Sequence, residues 1–130
     1  MKKLSKTDLA KSGETAATNY LLYKGYSLIC RNFRVKQGEI DLIVEKDQQL
    51  IFVEVKTRSY HSIESAIASV SHQKQAHISR VANIYCSQNP QYCKHNTRFD
   101  VIVALYDASL ESFSIKHFED AFLPVDSAYQ

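Results

Sequence analysis

The chain has 130 residues, 45% hydrophobic and 23% charged, with a net charge of +2; this fits one folded domain with a real core, not a disordered or fibrous chain. The charge balance does not declare a nucleic-acid binder, but admits one if the 16 Lys and Arg residues cluster. The basic start Met1-Lys2-Lys3-Leu4-Ser5-Lys6 lacks the apolar stretch of a signal peptide, no run reaches transmembrane length, and three cysteines suggest reduced thiols, so a cytoplasmic protein with no membrane partner is expected.

A single domain is expected over residues 1–130, with flexible ends at 1–6 and 124–130. Periodicity predicts a helix over 7–24, with Thr7 as its N-cap and Gly25 as its stop. Ala10, Ala17 and Leu21 recur on one face of that helix, and Glu14 falls on the same stripe. Residues 26–35 read as a first strand turning at Lys36-Gln37-Gly38, and a hairpin follows with strands over 39–44 and 50–57. Residues 58–63 are polar and read as a loop. A second helix over 71–87 has Ser71 as candidate N-cap and a stripe of Ile78, Val81 and Tyr85, with Lys74 one turn upstream. Gln88-Asn89-Pro90-Gln91 breaks it, and strands over 98–106 and 112–118 complete the chain. A long helix between the third and fourth strands suggests a crossover. The fold class is therefore α/β: a mixed sheet of about five strands flanked by helices, in the order α-β-β-β-α-β-β.

The hairpin carries the chemistry. Gly38-Glu39-Ile40-Asp41-Leu42-Ile43-Val44 and Phe52-Val53-Glu54-Val55-Lys56-Thr57-Arg58 are apolar runs interrupted by two acids and a lysine. If the loop centres on Asp47 and Gln48, residues whose numbers sum to 95 face each other, which sets Asp41 against Glu54 and Glu39 against Lys56. Opposed side chains on one sheet face lie roughly 4.5–5.5 Å apart, and like charges so placed repel. A divalent cation would reverse that penalty, because Mg²⁺ is commonly held by one or two carboxylates with waters and phosphates. Asp41, Glu54 and the Val55 carbonyl are thus candidate ligands for Mg²⁺ or Mn²⁺, and Lys56 a candidate to orient water or offset transition-state charge. Glu14 and Lys74 are further polar groups on core-facing helix stripes, where an unpaired charge is costly. The plainer alternatives stand beside this reading: Glu54 and Lys56 as a solvent-facing pair on a one-sided sheet, Glu14 as a partly exposed helix residue, Lys74 as a snorkelling side chain.

The combination Gly13-Glu14-x-x-Ala17, Gly25-Tyr26, Arg31-Asn32-x-Arg34, Gly38-Glu39-Ile40-Asp41-Leu42, Phe52-Val53-Glu54-Val55-Lys56-Thr57-Arg58, Lys74 and Arg98-Phe99-Asp100 resembles the YraN-type family of predicted endonucleases. That family is similar to archaeal Holliday-junction resolvases within the PD-(D/E)xK nuclease superfamily. The likeness runs through His117-Phe118-Glu119-Asp120-Ala121-Phe122 and so covers nearly the whole chain. It implies a restriction-endonuclease-like core, Asp41 and Glu54 as metal ligands, Lys56 as the catalytic lysine, and Glu14 as the helix-borne catalytic acid of resolvase-like members. Ile40 stands where the superfamily name has Pro, a departure that touches no ligand. The Phe-Gly often found after the position of Arg58 is absent.

Arg31, Arg34 and Lys36 cluster around the first turn, and Arg58 extends from the lysine-bearing strand; with Lys74 they are candidate contacts to DNA phosphates. Each is also explicable as solubilising charge. Arg98 and Asp100 are spaced to pair on one strand face. Cys86, Cys93 and His95 match no standard zinc spacing and lack a fourth ligand, and three glycines cannot build a phosphate-cradling loop. The expected function is a metal-dependent endonuclease acting on DNA, with branched or structured DNA among the candidate substrates. The alternatives are a non-catalytic nucleic-acid-binding module that keeps the fold, and an adaptor for other proteins. Resolvase-like relatives act as dimers because two symmetric cuts need two sites, so the resemblance admits a homodimer.

Overall fold

The structure, a computed structural model, describes residues 4–59, 63–92 and 94–125. Helix α1 (Lys6–Tyr23) is capped by Ser5, whose hydroxyl accepts the Asp8 N–H at 3.1 Å. The cap is therefore Ser5 and not Thr7; Asp8 then lies in the first turn, where a negative charge suits the helix dipole. At the other end the Gly25 N–H reaches the Leu22 carbonyl and the Tyr26 N–H the Leu21 carbonyl, both at 3.0 Å. This paired C-terminal closure needs a left-handed residue, and Gly25 supplies it with φ +92°.

Five strands follow in a sheet ordered β1-β2-β3-β4-β5: β1 (Ser27–Val35), β2 (Gly38–Lys46), β3 (Gln49–Ser59), β4 (Asn96–Asp107) and β5 (Ser112–Phe122). Neighbours are antiparallel except β3 and β4, which are parallel. The parallel pair requires a crossover, made by α2 (Ile63–Ala68), α3 (His72–Gln88) and a 3₁₀ turn at Pro90–Tyr92. The mixed sheet with flanking helices expected from the sequence is what forms. The crossover carries one more helix, α2, because β3 continues through Arg58 to Ser59 and the chain is helical again from Ile63; of the expected 58–63 loop, residues 60–62 lie outside the described residues. Ser71 caps α3 as expected, its hydroxyl accepting the Lys74 N–H at 3.2 Å. Strand β5 outruns its expected end at 118, reaching Phe122. Much of the two ends expected to be flexible is outside the described residues; within them, the Val125 N–H donates to Ser79 Oγ at 3.0 Å.

The β2–β3 turn is two residues long, with Asp47 at φ +51° and Gln48 at φ +61°. Both positive values mark the turn type whose twist matches a hairpin. The register follows from it: Leu42 faces Val53, Ile43 faces Phe52, and so on to Lys46 and Gln49, each pair summing to 95. Leu42, Val44, Ile51 and Val53 pack with Ala17 and Leu21 of α1, whereas Ile43, Leu50, Phe52 and Phe99 pack with Ile78, Val81 and Tyr85 of α3. Alternation thus gives the sheet two buried faces, one per long helix.

Candidate active site

The hairpin ladder stops at Leu42 and Val53, one residue short of the expected opposition of Asp41 and Glu54. Beyond that point the strands part. Ile40 joins the α3 side of the core although Leu42, two residues on, belongs to the α1 side, so alternation is broken at Asp41. Asp41 Oδ2 instead accepts the Val55 N–H at 2.8 Å. A strand residue directs its N–H and C=O to the same side, so the Val55 carbonyl faces the same gap. Glu39 does not oppose Lys56 either; it pairs with Arg34 across β1 and β2, in register and by a salt bridge.

Glu54 follows Phe52 on the α3 face of β3 and is 7% exposed, a buried carboxylate that needs compensation. Two ammonium groups provide it: Lys56 Nζ lies 3.3 Å from Glu54 Oε1, and Lys74 Nζ, arriving from α3, lies 3.9 Å away. Lys74 therefore meets Glu54 and does not merely snorkel. From α1, Glu14 comes to the same region because Gly13 lets the helix lie directly on β3. A Cβ at Gly13 would sit 2.1 Å from Thr57 Oγ1. Glu14 Oε1 accepts from Arg31 Nε at 3.2 Å, Arg31 Nη2 at 3.1 Å and Asn32 Nδ2 at 3.0 Å.

Burial pushes the Asp41 carboxyl up from 3.8 to about 7; the Glu54 charge adds to this, as do those of Glu14 and Glu39, against the Val55 N–H, which lowers it. A cation beside Asp41 would offset the burial and the neighbouring acids that raise it. Asp41 opens on a cavity of about 820 Å³ that also receives Glu14, Lys56, Thr57 and Arg58. Arg58 Nη1 donates to its neighbour's Thr57 carbonyl at 2.8 Å. Arg31 and Arg34 line the cavity with their guanidinium groups engaged by acids, and the exposed Lys36 lies in the turn outside it. The sequence reading missed Lys6 and Lys11, which line the cavity from α1, and Asn32. A signal existed: Thr7, Lys11 and Glu14 follow helical spacing, so the stripe bearing the acid also bears a lysine.

No three His, Cys, Asp or Glu side chains converge on a metal-binding spacing among the described residues. Asp41 and Glu54 nonetheless suit an ion such as Mg²⁺, which takes one or two carboxylates and completes its shell with water and phosphate oxygens; the Val55 carbonyl offers one more oxygen. The set contains only oxygen donors, which suits Mg²⁺ or Mn²⁺ over zinc. Elsewhere, His95 Nε2 pairs with Glu45, burial raises the Cys86 thiol, and Cys93 lies outside the described residues. Arg98 and Asp100 pair as expected, in two contacts of 2.8 Å. Among the described residues, no helix is long and apolar enough to cross a membrane.

Residues 13–104 match the model of a family described as uncharacterised protein family UPF0102. A UPF0102 protein of Chlorobium chlorochromatii is 39% identical over 122 residues, covering 91% of this chain and 93% of the relative. One from Chlorobium limicola is 41% identical over 118 residues, covering 88% and 91%, and one from Clostridium botulinum 35% identical over 115 residues, covering 88% and 94%. Among solved structures, Pyrococcus furiosus SfsA in complex with Ca²⁺ matches with a TM-score of 0.37 at 16% identity. That match covers 84% of this chain and 61% of SfsA, so the chain spans less than two thirds of that protein's length.

Proposed function

The chain belongs to the uncharacterised protein family UPF0102, the YraN-type family, and from that premise we propose that it is a divalent-metal-dependent nuclease hydrolysing phosphodiester bonds of DNA, with branched or otherwise structured DNA among the candidate substrates. The observation that carries this reading is the gap between β2 and β3. There Asp41 and Lys56 line a cavity with Lys6, Lys11 and Arg58, and the buried Glu54 holds Lys56 at 3.3 Å.

Asp41, Glu54 and the Val55 carbonyl would hold the divalent cation, which when bound would supply polarisation of a phosphoryl oxygen and a lower pKa for the attacking water. The Asp41–Val55 hydrogen bond holds one carboxylate oxygen, Oδ2, of a residue that lines the cavity. Lys56, anchored by Glu54, presents its ammonium to the phosphoryl oxygens, where negative charge grows as water attacks phosphorus and the bond to the leaving oxygen breaks. Glu14 offers a carboxylate oxygen that can take the proton released by the water, and its charge, felt at Asp41, would also favour a cation there. Lys6, Lys11 and Arg58 contact flanking phosphates, which orients a strand without reading its sequence. Lys74 holds Glu54 from the α3 side and so acts through it.

One observation favours a second reading, a nucleic-acid-binding module that does not cut: Lys56 and Lys74 already neutralise Glu54 directly. Incubating the protein with single-stranded, duplex, flapped and four-way DNA, with and without Mg²⁺ or Mn²⁺, separates the two. The nuclease reading expects metal-dependent cleavage that Asp41→Asn abolishes. Identical cleavage by both proteins, or binding by wild type without any cutting, overturns it.

A further inference from the structure

Glu14 is gripped on one oxygen only. Three N–H groups converge on Oε1, two from Arg31 and one from Asn32, and no hydrogen bond from the described residues reaches Oε2. The Asn32 amide must present its NH₂ end there, because a carboxylate can only accept. Both residues lie on β1 where it passes the gap. Arg31 faces Leu42 and Phe33 faces Ile40, which sets Asn32 level with Asp41. Asn32 also has φ +55°, a left-handed conformation inside a strand. Non-glycine residues adopt it at a cost, Asn more readily than most, and such strain gathers at functional sites.

We propose that Arg31 and Asn32 are positioning residues that pin Glu14 so that its unbonded oxygen faces the cavity holding Asp41. The inference rests on the nuclease reading and removes Arg31 from the candidate phosphate contacts. Its Nε and Nη2 are spent on Glu14, and Nη2 also reaches Thr15 Oγ1 at 3.4 Å. A fork so committed is not presented to a phosphate in two-point fashion. The Glu14 side chain is 16% exposed and that of Arg31 37%, so solvent screens the pair in part and the convergence of three N–H groups on one oxygen does more to fix Glu14 than the ion pair alone.

A merely structural tie between α1 and β1 would affect melting and leave metal affinity alone. Two charge-conserving variants separate the cases: Asn32→Gly, which keeps the positive φ accessible, and Arg31→Lys, which keeps the charge and loses the fork. Calorimetric titration of the DNA-free protein with Mn²⁺ is expected to show affinity falling about 10-fold in each, the usual scale for groups that orient a metal site's carboxylates. In the Glu14→Gln background, Asn32→Gly should add nothing, because the group it acts through is changed. Folded variants with wild-type Mn²⁺ affinity overturn the inference. So does an Arg31→Ala protein whose DNA binding loses about one unit of salt slope while its Mn²⁺ affinity stays intact, since that marks a phosphate contact. A wild type that takes up no Mn²⁺ sinks the nuclease reading and the clamp with it; one that takes it up while the variants match it sinks the clamp alone.

Discussion

Asp41 takes the Val55 N–H on its side chain at 2.8 Å, one residue beyond the last paired rung of the β2–β3 ladder. A side-chain acceptor thus stands where a backbone carbonyl would continue the hairpin, and the strands separate around it. The same bond holds the carboxylate beside Glu54, whose charge helps to raise its pKa.

Asp41→Asn should stabilise the metal-free protein at neutral and alkaline pH while abolishing cleavage. The folded carboxyl sits at about 7 against an ordinary 3.8, so the folded chain keeps a proton that the unfolded chain releases between those values. Wild-type stability therefore falls as pH rises through that window, and the variant has no such loss. Melting curves should coincide near the acid end and diverge to about 1–3 kcal/mol in the variant's favour above the window, partial exposure of the site limiting the gain. Equal melting at all pH values would refute the electrostatic account.

Divalent cation should raise the melting temperature of wild type, and more at about pH 8 than at about pH 6, because the ligand must lose its proton first. At a hundredfold excess over the dissociation constant the gain is about 2.7 kcal/mol. Glu54→Gln and Asp41→Asn should each remove most of it in differential scanning fluorimetry with Mg²⁺ or Mn²⁺.

Gly13→Ala should cost about 1–3 kcal/mol in urea unfolding, the scale of overpacking a tight contact. It should also lower cleavage more than stability alone explains, because α1 carries Glu14. The three atoms nearest to the added Cβ all belong to Thr57, so Gly13→Ala with Thr57→Ala should recover much of the loss. Simple additivity of the two changes would contradict this packing.

Asp100→Ala should be the most destabilising of these substitutions, about 3–5 kcal/mol at neutral pH, since it removes the buried acceptor shared by Arg98, His117 and the Asp120 N–H. Burial raises the Asp100 carboxyl, but the hydrogen bonds from His117, Arg98 and the Asp120 N–H outweigh it and hold the group below its ordinary 3.8. Its contribution is therefore present above that value and lost as pH falls through the lower, folded one. The gap between wild type and variant should shrink in acid unfolding; a gap independent of pH would show that the charge matters little.

The amino-acid sequence by itself determined the hairpin and its register through Asp47-Gln48, the crossover that forces a parallel β3–β4 pair, the Ser71 cap, and the Arg98–Asp100 pairing. It also brought Asp41, Glu54 and Lys56 together as candidates. These follow from local rules that repeat along a chain: period two in strands, period 3.6 in helices, and short turns with defined twist. Other features were decided only by the tertiary structure. The ladder opens at Asp41, Asn32 and Arg31 turn to Glu14, Lys6 and Lys11 come to the cavity, and Lys74 reaches Glu54. Each of these joins segments far apart in the chain, and no periodicity records how close two segments lie. Gly13 against Thr57 sets how near α1 rests on β3, and that approach brings a helix acid to the gap between the strands.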